Sequence, residues 1–358
     1  MLSTRRTIFQ GTAAVLLGVL VMSSGCGRHP EVVTADLQGR RVNAFEVEGD
    51  WMVYTWAPAQ AISTPTHLVV RNLRTGEETE LVADYRLSIG FAIDHGRIVY
   101  PIRNRGGGNE PVDVVMYDTA SRSKKTVLQA PVRRFDLSGD YLVCEHGPYA
   151  STTVVLFNVS TGERRNLSAQ AGTDGQANIF PRIDGQTVAW TVHDRALGQY
   201  QLCLYDIDAG RATPTPVIHP NRFKTDLSGD HLVYWVARGN DRMINLYEIS
   251  RGTDRVIACG PRLHDNPSIA GHFVAWSDHI PKDEFKPVPG QPLYDEKDYR
   301  NLYVHDIRSG RTTQIASSVF EMFRHRVTED GCVYAAVQRE MTDRRKSNLN
   351  YGVDVWRW

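Results

Sequence analysis

One unit of strand, tight turn, strand, loop and strand recurs along nearly the whole chain, and few folds are open to a sequence written this way. The clearest copy runs from Ile183 to Gly210. It has a tight turn at Asp184-Gly185, a second strand through Val188-Ala189-Trp190 and a third from Leu202 to Ile207, stopped by Ala209-Gly210. Aligning the second strand on its aromatic or equivalent residue selects Tyr54, Tyr100, Cys144, Trp190, Tyr234, Trp276 and Tyr334. The separations are 46, 44, 46, 44, 42 and 58 residues, which makes seven copies of one antiparallel unit.

The third strand repeats as clearly, as Leu68 to Leu73, Val114 to Thr119, Val154 to Val159, Leu202 to Ile207, Ile244 to Ile249, Leu302 to Ile307 and Val353 to Trp358. Most copies then turn at a glycine, at Gly76, Gly162, Gly210, Gly252 and Gly310, and enter a fourth short strand. One four-stranded sheet cannot bury both of its faces alone, whereas a closed ring of such sheets can. The repeat therefore predicts an all-β fold, a seven-bladed β-propeller of four-stranded antiparallel blades. The seventh copy ends at Trp358 before any fourth strand, so an N-terminal strand, placed at Val32 to Val42, is expected to close the last blade. The first strands, near Phe45, Phe91, Phe135, Phe180, Lys224, Pro267 and Arg324, are expected to line the central channel.

The 358 residues carry 41 Lys plus Arg and 41 Asp plus Glu, so no net charge points to nucleic acid. Residues 1–25 differ in kind: Arg5-Arg6 precede an apolar run from Thr12 to Met22 and then Ser23-Ser24-Gly25-Cys26, which reads as an export signal. Small residues before Cys26 resemble the lipobox of bacterial lipoproteins, in which the cysteine becomes the lipidated first residue. The expected organisation is a signal at 1–25, a tether at 26–35 and the propeller at 36–358. Contact with a membrane is expected only through the N-terminal lipid. The other cysteines, Cys144, Cys203, Cys259 and Cys332, fall in different copies without close spacing and read as core thiols rather than a disulfide framework.

Propellers bring the loops from fourth to first strands and from second to third strands to one face, and here these segments are rich in arginine. Arg86, Arg134, Arg182, Arg222 and Arg324 approach the first strands of five copies and are the candidate ligand-binding residues. Guanidinium forks suit carboxylate or phosphate, and a concave mouth concentrates their field, so an anionic ligand is the expectation. No His-x-x-x-His, Gly-x-Ser-x-Gly or phosphate-loop pattern occurs in a fitting context, so no catalytic residue, metal site or cofactor is expected. His264 and His325 are the histidines a ring could still bring together at its mouth. The insertion in copy six, Asp278 to Arg300, carries prolines and acids and reads as a surface excursion.

The segments Asn178-Ile-Phe-Pro181-Arg-Ile-Asp-Gly185 and Asn266-Pro267-Ser-Ile-Ala-Gly271, with Leu-Tyr-Asp-Ile and a small-Gly turn following, resemble the repeat of TolB-like β-propellers. That resemblance implies an exported envelope protein. The Tol protein looks six-bladed behind a small N-terminal domain, whereas seven copies here leave no room for one. Oligogalacturonate lyases are similar seven-bladed propellers, which work on an anionic sugar with a histidine-bound metal; none of their residues carries over to this sequence. The leading expectation is a non-catalytic envelope lipoprotein that binds a protein or an anionic envelope polymer at the loop face. A polysaccharide lyase or hydrolase is the alternative, and a plain structural spacer is a third.

Overall fold

The computed structural model describes residues 31–32, 40–58, 66–85, 90–103, 112–148, 151–219, 224–238, 241–260, 264–280, 299–320, 324–340 and 350–357. They form seven four-stranded antiparallel sheets, six of them consecutive along the chain. The seventh orders Glu31–Val32, Asn350–Arg357, Cys332–Glu340 and Arg324–Val327 side by side. The ring is therefore closed by the beginning of the chain, with Glu31 opposite Val355 and Val32 opposite Asp354.

The closing strand differs from the expected Val32 to Val42. It occupies Glu31–Val32, within the stretch expected to be tether, and Arg40–Glu48 is instead the first strand of blade one. The reason is burial: Val42 and Phe45, 2% and 0% exposed, face the seam with blade seven. There they join Met52, Tyr54, Val69, Ala336 and Val353 in one cluster. A strand that fills this seam cannot also serve as the outer edge of the ring.

Buried residues run almost without interruption through the middle of the second strands, as in Met52 to Thr55, Leu142 to Glu145 and Val188 to Val192, because both sheet faces are covered by neighbouring blades. The aligned positions Tyr54, Tyr100, Cys144, Trp190, Tyr234 and Trp276 are all 2% exposed or less. Each core cluster spans a seam: Val143, Val154 and Leu156 of blade three pack on Ile183, Val188 and Trp190 of blade four, and Val233, Ile244 and Leu246 of blade five on Ile269, Val274 and Trp276 of blade six. Burying one such side chain contributes roughly 1.5–3 kcal/mol, so the ring is held mainly by apolar contact between sheets. Cys144, Cys203 and Cys332 are buried as expected, but Cys259 is exposed.

Polar clasps tie neighbouring blades where the first strands end. Asp94 Oδ2 accepts the Gly139 N–H at 2.8 Å, Ser138 Oγ that of Gly185 at 3.0 Å, Asp184 Oδ2 that of Gly229 at 2.6 Å and Ser228 Oγ that of Gly271 at 2.9 Å. A deeper tier repeats the arrangement: Asp136 accepts the Ile183 N–H at 3.2 Å and Asp226 that of Ile269 at 3.0 Å. Each clasp satisfies a backbone donor that would otherwise face the channel unpaired. Among the described residues no helix is long and apolar enough to cross a membrane.

Candidate functional site

First strands enter the channel from the loop face and leave it at the tight turns, so position along a first strand reads as depth. Near the loop face, the first strands of blades four and six are bulged. Phe180 and Asn266, each before a proline, take φ of 57° and 51°, and register shifts separate Ile179 from Arg182 and Asp265 from Ser268. The Phe180 bulge frees its N–H, which Glu145 Oε1 accepts at 2.6 Å. Glu145 is fully buried, and Arg134 Nη1 lies 3.1 and 3.2 Å from its two oxygens.

The Phe180 ring carries cations as well: the Arg134 guanidinium lies 4.6 Å and the Lys224 ammonium 5.9 Å from its centroid, within cation–π range. Lys224 is exposed, and among the described residues no carboxylate pairs with it. Partial burial, Arg134, Arg324 and Arg182 together push its pKa down, with Asp265 acting against them. Of the five candidate arginines, Arg134 shares the Phe180 ring with Lys224, while Arg182 and Arg324 act on Lys224 through their charge. Arg86 and Arg222 lie outside the described residues, as do Cys26 and most of the copy-six insertion. Beside this cluster, Arg242 sits 4.7 Å over the Trp235 ring and shares Asp265 with Arg300, at 3.2 and 3.8 Å.

One level deeper the arginines are paired. Arg182 Nε is 3.4 Å from Asp226 and its Nη1 3.9 Å from Asp136, while Arg324 and Arg326 both bind Glu46. Burial opposes ionisation of Glu46, but the two guanidinium groups outweigh it and hold its pKa at about 2. Asp136 shows the reverse balance: burial dominates over Arg182 and the Ile183 N–H and pushes its pKa up to about 6. Arg324, buried among cations, is drawn down to about 10 despite Glu46. These groups form a charge network that crosses the ring, pairing residues up to 280 positions apart.

Toward the tight turns the channel opens into a cavity of about 580 Å³. Nine carboxylates line it, from Glu46, Asp136 and Asp226 at its inner end to Glu48, Asp94 and Asp184 at the turns, against the arginines Arg182 and Arg326. Carboxylates outnumber cations along its lining. At its edge Glu48, Asp94 and His95 bring their donor atoms within 4.8 Å of one another. His264 and His325 join no such group among the described residues. Both are buried, and burial with the neighbouring arginines pushes His325 down to about 3.

The acidic turn face is hidden in the sequence because a pair such as Asp184-Gly185 signals a tight turn without showing that its carboxylate faces the channel. The available signal was His95, which stands where the other turns have glycine.

No family model matches the sequence, and none of the curated proteins matches it. Solved structures match across the ring. The β-propeller domain of the Trilobed protease from Pyrococcus furiosus, which has an open velcro topology, is similar at TM-score 0.62 and 13% identity, over 89% of this chain and 96% of that one. Oligogalacturonate lyase in complex with manganese is similar at TM-score 0.53 and 14% identity, over 91% and 92%. TolB from Acinetobacter baumannii is also similar, at TM-score 0.45 and 15% identity, over 88% and 80%. At these identities the likeness is one of fold.

Proposed function

We propose that the protein is a non-catalytic envelope lipoprotein whose propeller holds an anionic group, carried by a partner protein or an envelope polymer, at the loop-face mouth of its channel. The observation that supports this reading is Lys224, which shares the Phe180 ring with Arg134, is pushed down by burial and by Arg134, Arg324 and Arg182 against Asp265, and forms no ion pair with a carboxylate among the described residues. A carboxylate or phosphate arriving there relieves that repulsion and meets donors already held in place by Glu145, Asp226 and Glu46. The Phe180 and Trp235 rings beside the cations add apolar contact for the body of the ligand.

The alternative, a polysaccharide lyase or hydrolase, needs a proton acceptor among these cations. His325, whose pKa the neighbouring arginines help depress, is pushed down to about 3 and is too weak a base to abstract a proton near neutral pH.

Titration of the purified protein with polyglutamate and with a polyuronate tests the reading. Binding should weaken at least ten-fold in Lys224→Ala and fall with added salt. Equal binding by the variant, or measurable cleavage of the polyuronate, refutes it. The lipid anchor is tested separately by fatty-acid labelling in the bacterium, which Cys26→Ser should abolish.

A further inference from the structure

We propose that the turn-face mouth of the channel, opposite the anion-binding face, carries a divalent-cation site formed by Glu48, Asp94 and His95. Glu48 ends the first strand of blade one and Asp94 that of blade two, so the site bridges two blades and exists only in the assembled ring. The three donor atoms lie within 4.8 Å of one another. His95 Nδ1 and Asp94 Oδ1 are 2.9 Å apart, close to the separation of about 3.0–3.4 Å expected for neighbouring donors on one ion with bonds of about 2.1 Å. An ion between them would take the place of the proton they now share. Arg97, 3.5 Å from Asp94, is drawn the other way by Asp140 at 2.9 Å and by the Gly139 carbonyl.

Glu48, Asp94 and His95 all line the cavity at this mouth. It is a concave volume of about 580 Å³ with nine lining carboxylates, and both arginines that line it are engaged by Glu46, Asp136 and Asp226. Glu48 accepts the Gly96 N–H at 3.4 Å and Asp50 pairs with Arg74, but the carboxylates still outnumber the cations that line the cavity. That excess of carboxylates favours a cation over an anion at this mouth. His95 also departs from the repeat: at φ 47° it stands where blades one, three, four, five and six have glycine at 53–56°. The turn would be easier to form with glycine, so the imidazole is the feature that distinguishes this blade. One imidazole with two carboxylates suits a first-row ion such as zinc or manganese better than calcium, which takes oxygen ligands throughout.

Zinc titration of the full chain by calorimetry, with calcium as comparator, is the test. Wild-type protein should take up one zinc ion per chain, and His95→Gly should weaken that binding at least ten-fold while folding normally, since it restores the turn residue of the other blades. Glu48→Gln should weaken binding as well. Lys224→Ala should leave zinc binding intact, and His95→Gly should leave polyanion binding intact, so the two faces are tested apart. Absence of stoichiometric zinc binding by the wild type overturns the proposal, as does equal binding by His95→Gly, which would place the ion elsewhere, for example at the exposed Cys259.

Discussion

Replacing Glu46 with glutamine tests the charge network in the channel. In the folded protein Glu46 is held at about 2, against an ordinary value of 4.5. A carboxylate depressed in this way contributes stability that is fully present above the unfolded pKa and is lost as the pH falls through the folded one. The window is therefore about pH 4.5 to 2. The shift of about two and a half units corresponds to about 3 kcal/mol, and with a side chain only 19% exposed the value needs little reduction for solvent. Glu46→Gln keeps the shape and leaves Arg324 and Arg326 facing each other without a counter-charge. Urea unfolding at pH 7 should show a loss of about 3 kcal/mol. At pH 3, where wild-type Glu46 has already given up much of its advantage, the gap should shrink to less than half of that. A loss of the same size at both pH values would refute the electrostatic account and point to packing, and no loss at pH 7 would mean the arginines find other partners.

The neighbouring aspartate should behave with the opposite sign. Asp136 is raised to about 6 by burial, so its ionisation costs stability as the pH rises from about 4 to 6; Asp136→Asn should make the protein more stable at pH 7 by up to about 3 kcal/mol, with the gain gone at pH 4 in the same urea assay. Asn178 is fully buried, accepts from Trp190 Nε1 at 2.9 Å and donates to the carbonyls of Thr152, Thr173 and Gln176; Asn178→Ala should lower stability by about 2–4 kcal/mol, read as a fall in melting temperature. Deleting residues 27–35 removes the two-residue closing strand and should cost about 1–3 kcal/mol while leaving the other six blades folded by circular dichroism. A larger loss would mean that closure governs the whole ring.

The repeat was legible because burial fixes it. The seven aligned second strands each present one large or apolar residue to a seam, and even Cys144, which breaks the aromatic pattern, is 1% exposed in the same slot. The closing strand was legible as a need but not as a place, since Val42 satisfies an inward position equally well in either assignment until Phe45 and Tyr54 fix its register. Charge was the least legible layer. Arg324 and Glu46 are 278 residues apart and meet only because the ring closes, so the sequence shows an arginine-rich loop face without showing which arginines are already neutralised. Lys224, at the centre of the cluster, stood out only as the start of a strand.

The gathering of carboxylates at the turn face has a single structural origin. In blades three to six the first strand enters from the loop face and ends at a tight turn whose first residue presents an N–H to the blade before it. An acceptor is required at that end, and the chain supplies it as Asp94, Ser138, Asp184 and Ser228. Wherever the acceptor is a carboxylate, its charge collects at the turn face, while Arg182 and Arg326 pair one tier deeper with Asp226 and Glu46. The cations nearer the loop face, Arg134 and Lys224, are beyond the reach of those acids. The same clasps that seal the blades therefore gather carboxylates at the turn face, at the opposite end of the first strands from Arg134 and Lys224.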